Sequence, residues 1–129
     1  MIRVTRNIKF KNISFKYNEN SPYTHLNLNL DIRKNSKTYG KYVSVLLSGE
    51  NKRQLFIPKG FAHGFLVLSD NAILNYKVDN IYAPDHEAGV RWNDKGLNIK
   101  WGVDSGEVIV SEKDAKLPFF LELESPFTI

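Results

Sequence analysis

The sequence contains no cysteine, and this absence excludes disulfides, zinc–thiolate centres and cysteine nucleophiles together. It also lacks any run of about 20 apolar residues, the length that a helix needs to cross a bilayer. No apolar run follows the charges between Met1 and Arg6, so this segment does not resemble a secretory signal. We therefore predict a cytoplasmic protein that makes no contact with a membrane.

Histidine is scarce as well, with three residues at positions His25, His63 and His86. A metal site in a β-barrel usually takes several histidines and a carboxylate from neighbouring strands. Here no two histidines have the spacing His-x-His or His-x-x-x-His. The sequence therefore predicts no metal site, and we expect His86, in a charged loop, to face solvent.

Acidic residues are rare in the first third of the chain. Residues 1–41 contain nine Lys or Arg against two Asp or Glu, a balance of +7, whereas the rest of the chain has a balance of −3. Such a basic region can attract phosphates through its field, or it can be the lysine-bearing face of edge strands. The spread of the lysines favours the second interpretation. Without a nucleic-acid motif or interleaved basic and aromatic residues, we predict no nucleic-acid partner.

What the sequence does contain is alternation with a period of two, which is typical of half-buried strands. From Leu26 to Ile32, Leu or Ile at even positions alternates with Asn or Asp at odd positions. Further strands are predicted at 42–47, 53–57, 65–68, 72–78 and 107–110, and residues 8–17 are also strand-like. Many short strands separated by turn residues indicate an all-β sandwich or barrel, and 129 residues suffice for one domain.

One short helical turn is predicted near the end of the chain. Ser111 stands three positions before Asp114, the spacing of a capping box, and Pro118 ends the turn.

The most informative histidine is His63, which follows a rigid turn at the start of a strand in PKGFAHGF (58–65). The pattern Pro-x-Gly-x-x-His is similar to the second motif of the cupin superfamily, which points a histidine into the mouth of a barrel. A hydrogen-bonded histidine of the core is the alternative interpretation of the same hexapeptide.

Five blocks of sequence extend this similarity. They occur in order between Asp31 and Pro118: LDIRKNS with TYGK (30–41), ENKRQLFIPKGFAHGF (50–65), NYKVDNIYAPDHE (75–87), VRWND (90–94) and SEKD with LP (111–118). Together they resemble the dTDP-4-dehydrorhamnose 3,5-epimerase family. The resemblance implies a cupin-like jelly-roll β-sandwich, with a divergent segment at 1–24, an epimerase-like core at 25–118 and a tail at 119–129.

The resemblance also implies a chemistry that needs no metal or other cofactor. Members of this family invert C3 and C5 of a 4-keto-6-deoxy sugar attached to dTDP, by removing protons beside the ketone and returning them from the other face. By position, Tyr76 matches the acid, His63 the histidine near the C4 oxygen, and Asp114 the carboxylate that orients the catalytic histidine. The matching substrate-binding residues are Tyr82, against the nucleotide base, Glu87, and Lys113, which suits the diphosphate.

Several of these residues have plainer interpretations. Tyr76 alternates with Leu74 and Val78, so it can also be a core residue. Tyr82 can be ordinary loop packing, and Asp114 can simply be the capping acid. Trp92 and Trp101 are better interpreted as core or rim residues.

The sequence departs from the family in one important respect. The block Arg-Gly-Leu-His-[Tyr/Phe]-Gln, which carries the family's catalytic base, does not occur in residues 1–30. We do not assign that role to His25, because it enters a strand that matches a later element. Three hypotheses follow: an active epimerase with a different base, a non-catalytic homologue that binds a nucleotide sugar or only dimerises, or a site completed by a separate chain. A homodimer is expected by resemblance.

Overall fold

The structure, a computed structural model, describes residues 2–5, 24–78, 80–81 and 83–129. Its regular structure is mostly one sheet of five strands, in the spatial order β3-β2-β4-β1-β5. Every pairing in this sheet is antiparallel. The strands are β1 (Ile2–Thr5), β2 (Thr24–Asp31), β3 (Tyr42–Ser48), β4 (Phe61–Val67) and β5 (Glu87–Gly89).

One face of the sheet is apolar and carries the core. Successive residues of a strand point to opposite faces, so the even positions of β2 share one face, where Leu28 and Leu30 are completely buried. The C-terminal third of the chain covers this face. It contributes buried side chains at Val90, Leu97, Trp101, Phe120 and Leu123.

Polar contacts hold this cover in place. Asp94, which is buried, accepts hydrogen bonds from the backbone N–H of Leu97 at 2.8 Å and of Phe120 at 2.6 Å. The Ser125 hydroxyl donates to the carbonyl of Ile32. The segment predicted as a tail, 119–129, is thus packed on the core.

The other face of the sheet collects polar side chains. Residues that oppose each other in an antiparallel ladder project to the same face, and Asn29 opposes His63 while Asn27 opposes Phe65. Arg3 of β1 is paired with both His63 and Gly89, and Thr5 is paired with Glu87. The register therefore places Glu87 of β5 on the same face as His63 of β4. We call this surface the polar face.

The sequence located the first strands of the sheet well. β2 and β3 lie where the alternation predicted them, and β4 begins at Phe61 instead of Phe65 because the chain reaches its ladder partners directly after the turn at Gly60. The helix α1 (Glu112–Ala115) confirms the predicted turn, with the Asp114 N–H donating to the Ser111 hydroxyl at 3.1 Å.

The predicted strands at 53–57, 72–78 and 107–110 were wrong. These residues are not part of any ladder in the described structure, and Ser105–Glu107 forms a single 3-10 turn. Alternation predicts an extended chain with two different faces, but a strand also needs a neighbour with which to pair. The strand-like pattern at 8–17 lies outside the described residues. No helix in the described ranges is long and apolar enough to span a membrane.

Candidate functional site

The turn before β4 determines where His63 points. Gly60 has φ of +86°, a conformation that side-chain-bearing residues rarely adopt. A Cβ atom at Gly60 would also lie 2.7 Å from Cδ of Arg33 and still closer to its Cγ. The turn therefore requires glycine. The turn leads directly into β4, and the register of β4 places His63 on the polar face.

A charged network supports this turn. The buried carboxylate of Asp31 accepts hydrogen bonds from Arg33 (Nε at 2.9 Å, Nη2 at 2.7 Å), from the Ser36 hydroxyl at 2.7 Å and from the Thr38 hydroxyl at 2.6 Å. The Arg33 guanidinium holds the pKa of Asp31 well below its usual range, and the hydroxyl donors act in the same direction despite the cost of burial. The same guanidinium lies 4.6 Å from the centre of the Phe61 ring.

His63 itself is partly buried and hydrogen-bonded to a neighbouring strand. Its Nε2 lies 2.8 Å from Oδ1 of Asn27. Burial lowers the pKa of His63 to about 4, and the like charge of His25 acts in the same direction. His63 is therefore a neutral imidazole near pH 7, and its Nδ1 has no hydrogen bond within the described ranges.

Two asparagines on the polar face were not predicted as site residues. Asn27 is 3% exposed and Asn29 is 8% exposed, and Nδ2 of Asn29 donates to the carbonyl of Phe56 at 3.0 Å. Three buried polar atoms of this face, His25 Nδ1, Asn27 Nδ2 and Asn29 Oδ1, have no hydrogen-bond partner in the described structure. Buried polar groups are usually paired, so these atoms mark a surface that is suited to a polar ligand or to ordered water.

The structure brings together two of the predicted substrate-binding residues. Nζ of Lys113 lies 2.6 Å from Oε2 of Glu87. The Glu87 side chain is 7% exposed, whereas that of Lys113 is 62% exposed, so the ammonium group reaches from solvent towards a buried carboxylate. This ion pair joins α1 to β5 and hence to the polar face.

Asp114, beside Lys113, has two differently placed carboxylate oxygens. Its Oδ2 accepts a hydrogen bond from the Ser111 hydroxyl at 2.7 Å, which belongs to the cap of α1. Its Oδ1 is buried and has no partner among the residues that the structure describes. Asp114 therefore takes part in the cap of α1 through Oδ2, and Oδ1 remains able to accept a hydrogen bond from another group.

Tyr76 is not brought to the other site residues by any described contact. Its side chain is 67% exposed, which excludes the alternative that it is a core residue. It makes no hydrogen bond or ring contact within the described ranges. Its role as an acid, opposite His63 in a shared space, remains a prediction. Tyr82 lies outside the described residues.

A cleft of about 620 Å³ occurs elsewhere in the molecule, lined by residues between Trp92 and Glu107. None of the predicted site residues lines it. Trp101, whose indole N–H donates to the carbonyl of Trp92 at 2.9 Å, is buried there as part of the core. This cleft is therefore not the candidate site, and both tryptophans have the structural role that the sequence indicated.

The all-β chain, with a histidine carried onto the polar face of its sheet by a Pro-x-Gly turn, has the cupin jelly-roll fold. The profile of the dTDP-4-dehydrorhamnose 3,5-epimerase family matches residues 24–122. The chain belongs to that family. It is 56% identical over 88 residues to the dTDP-4-dehydrorhamnose 3,5-epimerase of Escherichia coli (strain K12), an alignment that covers 68% of this chain and 47% of that protein.

Solved structures of this family are similar to the chain in fold and in sequence. The crystal structure of dTDP-4-dehydrorhamnose 3,5-epimerase from Elizabethkingia anophelis is 41% identical, with a TM-score of 0.73, and the match covers 78% of this chain and 57% of that one. A 3,5-epimerase from Legionella pneumophila, solved in complex with dTDP-4-keto-L-rhamnose, is 38% identical, with a TM-score of 0.71 and coverage of 81% and 56%. The chain spans about half the length of the relatives that it matches.

Proposed function

We propose that this chain binds a dTDP-linked 4-keto-6-deoxy sugar and takes part in its epimerisation at C3 and C5. The observation that carries the proposal is the polar face, where the register places His63 and Glu87 on the same side of the sheet and Glu87 is ion-paired with Lys113. The solved Legionella pneumophila relative contains dTDP-4-keto-L-rhamnose, a ligand of this class. The reaction belongs to nucleotide-sugar and polysaccharide biosynthesis, and we expect it to take place in the cytoplasm.

The chemistry of the substrate explains why an imidazole suits this site. Removing a proton beside the C4 ketone creates an enolate that must be reprotonated at carbon. We place the neutral imidazole of His63 beside the C4 oxygen, where its Nδ1 can accept a hydrogen bond from a neighbouring hydroxyl of the sugar, and we assign the return of the proton to the phenol of Tyr76. The reaction as proposed needs no metal or other cofactor.

The nucleotide half of the substrate needs different partners. Lys113 is exposed enough to turn from Glu87 towards a diphosphate, and lysine binds phosphate as a point charge. Glu87, which is buried, would hold the lysine in place until the nucleotide arrives. We assign the face against the thymine ring to Tyr82.

One observation favours a second candidate, a homologue that binds the nucleotide sugar without catalysis. Oδ1 of Asp114 is buried and lacks a partner in the described part of the chain. If Asp114 orients a catalytic histidine, that histidine is not among the described residues. A separate chain that supplies the base is the remaining hypothesis.

We also propose that the chain forms a homodimer. Several large apolar side chains are almost fully exposed, and exposed apolar side chains mark an interface where they form a continuous patch. The most exposed are Ile81 at 90%, Leu121 at 95% and Ile109 at 98%.

Two measurements on the purified protein test the proposed function. The first is binding of dTDP by calorimetry, and the second is exchange of the C3 and C5 hydrogens of dTDP-4-keto-6-deoxyglucose in D2O, followed by NMR. We expect binding, and exchange that falls by about 10²-fold or more in His63→Asn and in Tyr76→Phe. The matched control is His86→Asn, which changes an exposed histidine that has no assigned role.

The outcomes separate the hypotheses. Exchange that depends on His63 and Tyr76 supports the epimerase, whereas binding without exchange supports the non-catalytic homologue. Exchange that appears only when a second polypeptide is added supports a site completed by another chain. If the protein does not bind dTDP at all, the assignment to a nucleotide sugar is wrong.

A further inference from the structure

The hydrogen bond of the His63 ring leads to one neutral side chain. Asn27 reaches the imidazole diagonally across the ladder, from the position two residues before Asn29, which is the direct partner of His63. The Oδ1···Nε2 distance of 2.8 Å is that of a good hydrogen bond, and Asn27 is 3% exposed, so water cannot easily replace it. Asn27 is therefore in a position to fix the orientation of the ring.

We infer that Asn27 is a positioning residue that orients His63 and gives it an uncharged partner, so that the substrate meets a neutral imidazole with a free Nδ1 lone pair. This inference rests on the proposed function, which makes His63 a substrate-facing group. It concerns a residue for which the sequence predicted no role.

The chemical reason lies in the difference between an amide and a carboxylate. A carboxylate beside an imidazole favours the charged imidazolium, whereas an amide has no charge with which to do so. With Oδ1 as the acceptor, Nε2 of His63 carries the proton and Nδ1 keeps its lone pair. Nδ1 can then accept a hydrogen bond from a hydroxyl of the bound sugar, which an imidazolium cannot do.

The other charged groups near the ring do not reverse this conclusion. On β2, His25 shares the polar face with His63 and opposes its protonation, while Asp31 is neutralised by Arg33. On β5, Glu87 is ion-paired with Lys113. Each carboxylate of the described polar face thus has its own cation.

The neighbouring asparagine supports the orientation of the Asn27 amide. With Oδ1 turned to His63, the Nδ2 donor of Asn27 and the Oδ1 acceptor of Asn29 remain buried and unpartnered, two residues apart on one face. One hydroxyl group or water molecule can accept from the first and donate to the second. The reverse orientation would leave two acceptors there, which a water molecule can satisfy but a hydroxyl group, with one proton to donate, cannot.

The experiment is ¹⁵N NMR of the histidine rings in the unliganded protein, with His63 assigned from the spectrum of His63→Asn. In the unchanged protein we expect His63 to be neutral at about pH 7, with its proton on Nε2, and to titrate well below the ordinary histidine pKa. In Asn27→Asp we expect its pKa to rise by about 2 units, because the new carboxylate favours the imidazolium. In Asn27→Leu we expect the pKa to stay low and the single tautomer to be lost.

A residue that merely fills space would give a different pattern. The inference is overturned if His63 of the unchanged protein is charged or a mixture of tautomers at about pH 7, or if Asn27→Asp titrates like the unchanged protein. Should Asn27→Asp fail to fold, the inference is still tested by the tautomer of His63, which should be single in the unchanged protein and mixed in Asn27→Leu. Because no substrate is present, failure to bind dTDP would refute the proposed function and leave this result intact.

Discussion

Replacing Gly60 by alanine tests how strongly the turn before His63 depends on its neighbours. The new Cβ would meet the middle of the Arg33 side chain, 2.7 Å from Cδ, while the guanidinium of Arg33 is held at 2.7–2.9 Å by the buried carboxylate of Asp31. Arg33 can move only by giving up this pairing. The substitution therefore combines backbone strain at a positive φ with the loss of an ion pair.

The two contributions can be given approximate sizes. A side chain in the left-handed region costs about 1–2 kcal/mol, and removing a partner from a buried charge costs about 3–5 kcal/mol at most. Arg33 is 30% exposed, so water replaces part of what Asp31 loses. We expect Gly60→Ala to lower the free energy of unfolding by about 3–4 kcal/mol in total.

Two other glycines separate these contributions. Gly102 also has a positive φ, of +77°, but a Cβ there would meet nothing within 4 Å, and Gly106 has neither strain nor a neighbour. Urea denaturation should give a loss of about 1–2 kcal/mol for Gly102→Ala and no loss, or a gain of up to about 1 kcal/mol, for Gly106→Ala. Equal losses for Gly60→Ala and Gly102→Ala would refute the role of the Arg33–Asp31 pair.

Two further predictions concern the polar face. Because burial lowers the pKa of His63 from 6.5 to about 4, the unfolded chain binds more protons between these values, so stability should rise with pH across that range, and His63→Asn should flatten the rise in urea denaturation. Lys113→Ala should weaken dTDP binding by about tenfold or more in calorimetry and cost about 1 kcal/mol of stability. Lys116→Ala, which removes an exposed pair at 3.9 Å, is its control and should change neither.

The parts of the fold that the sequence predicted are those in which local pattern and pairing agree. The alternation from Leu26 to Ile32 predicts β2 because one face of that strand packs on the core. The capping pair Ser111 and Asp114 predicts α1 because the contacts that start a helix are local. In contrast, residues 72–78 alternate just as well and form no strand, since the pattern contains no information about a ladder partner.

The candidate site could be predicted only in part, for a similar reason. His63 was found because a rigid turn precedes it, whereas Asn27 and Asn29 were overlooked because polar positions in a half-buried strand normally face water. The available signal was the choice of residue: short amides, and no lysine or glutamate, occupy those two positions of β2. Whether such a face is buried depends on segments distant in sequence, such as Phe56, whose carbonyl accepts from Asn29.

The shared orientation of His63 and Glu87 depends on a strand that carries neither residue. β4 and β5 do not pair with each other, and β1 lies between them, paired at two positions with β4 and at three with β5. A slip of one residue in either ladder would turn Glu87 to the apolar face. The ion pair that holds Lys113 at the polar face would then be lost. The geometry of the site is thus fixed by the register of the four residues of β1 as much as by the residues that form it.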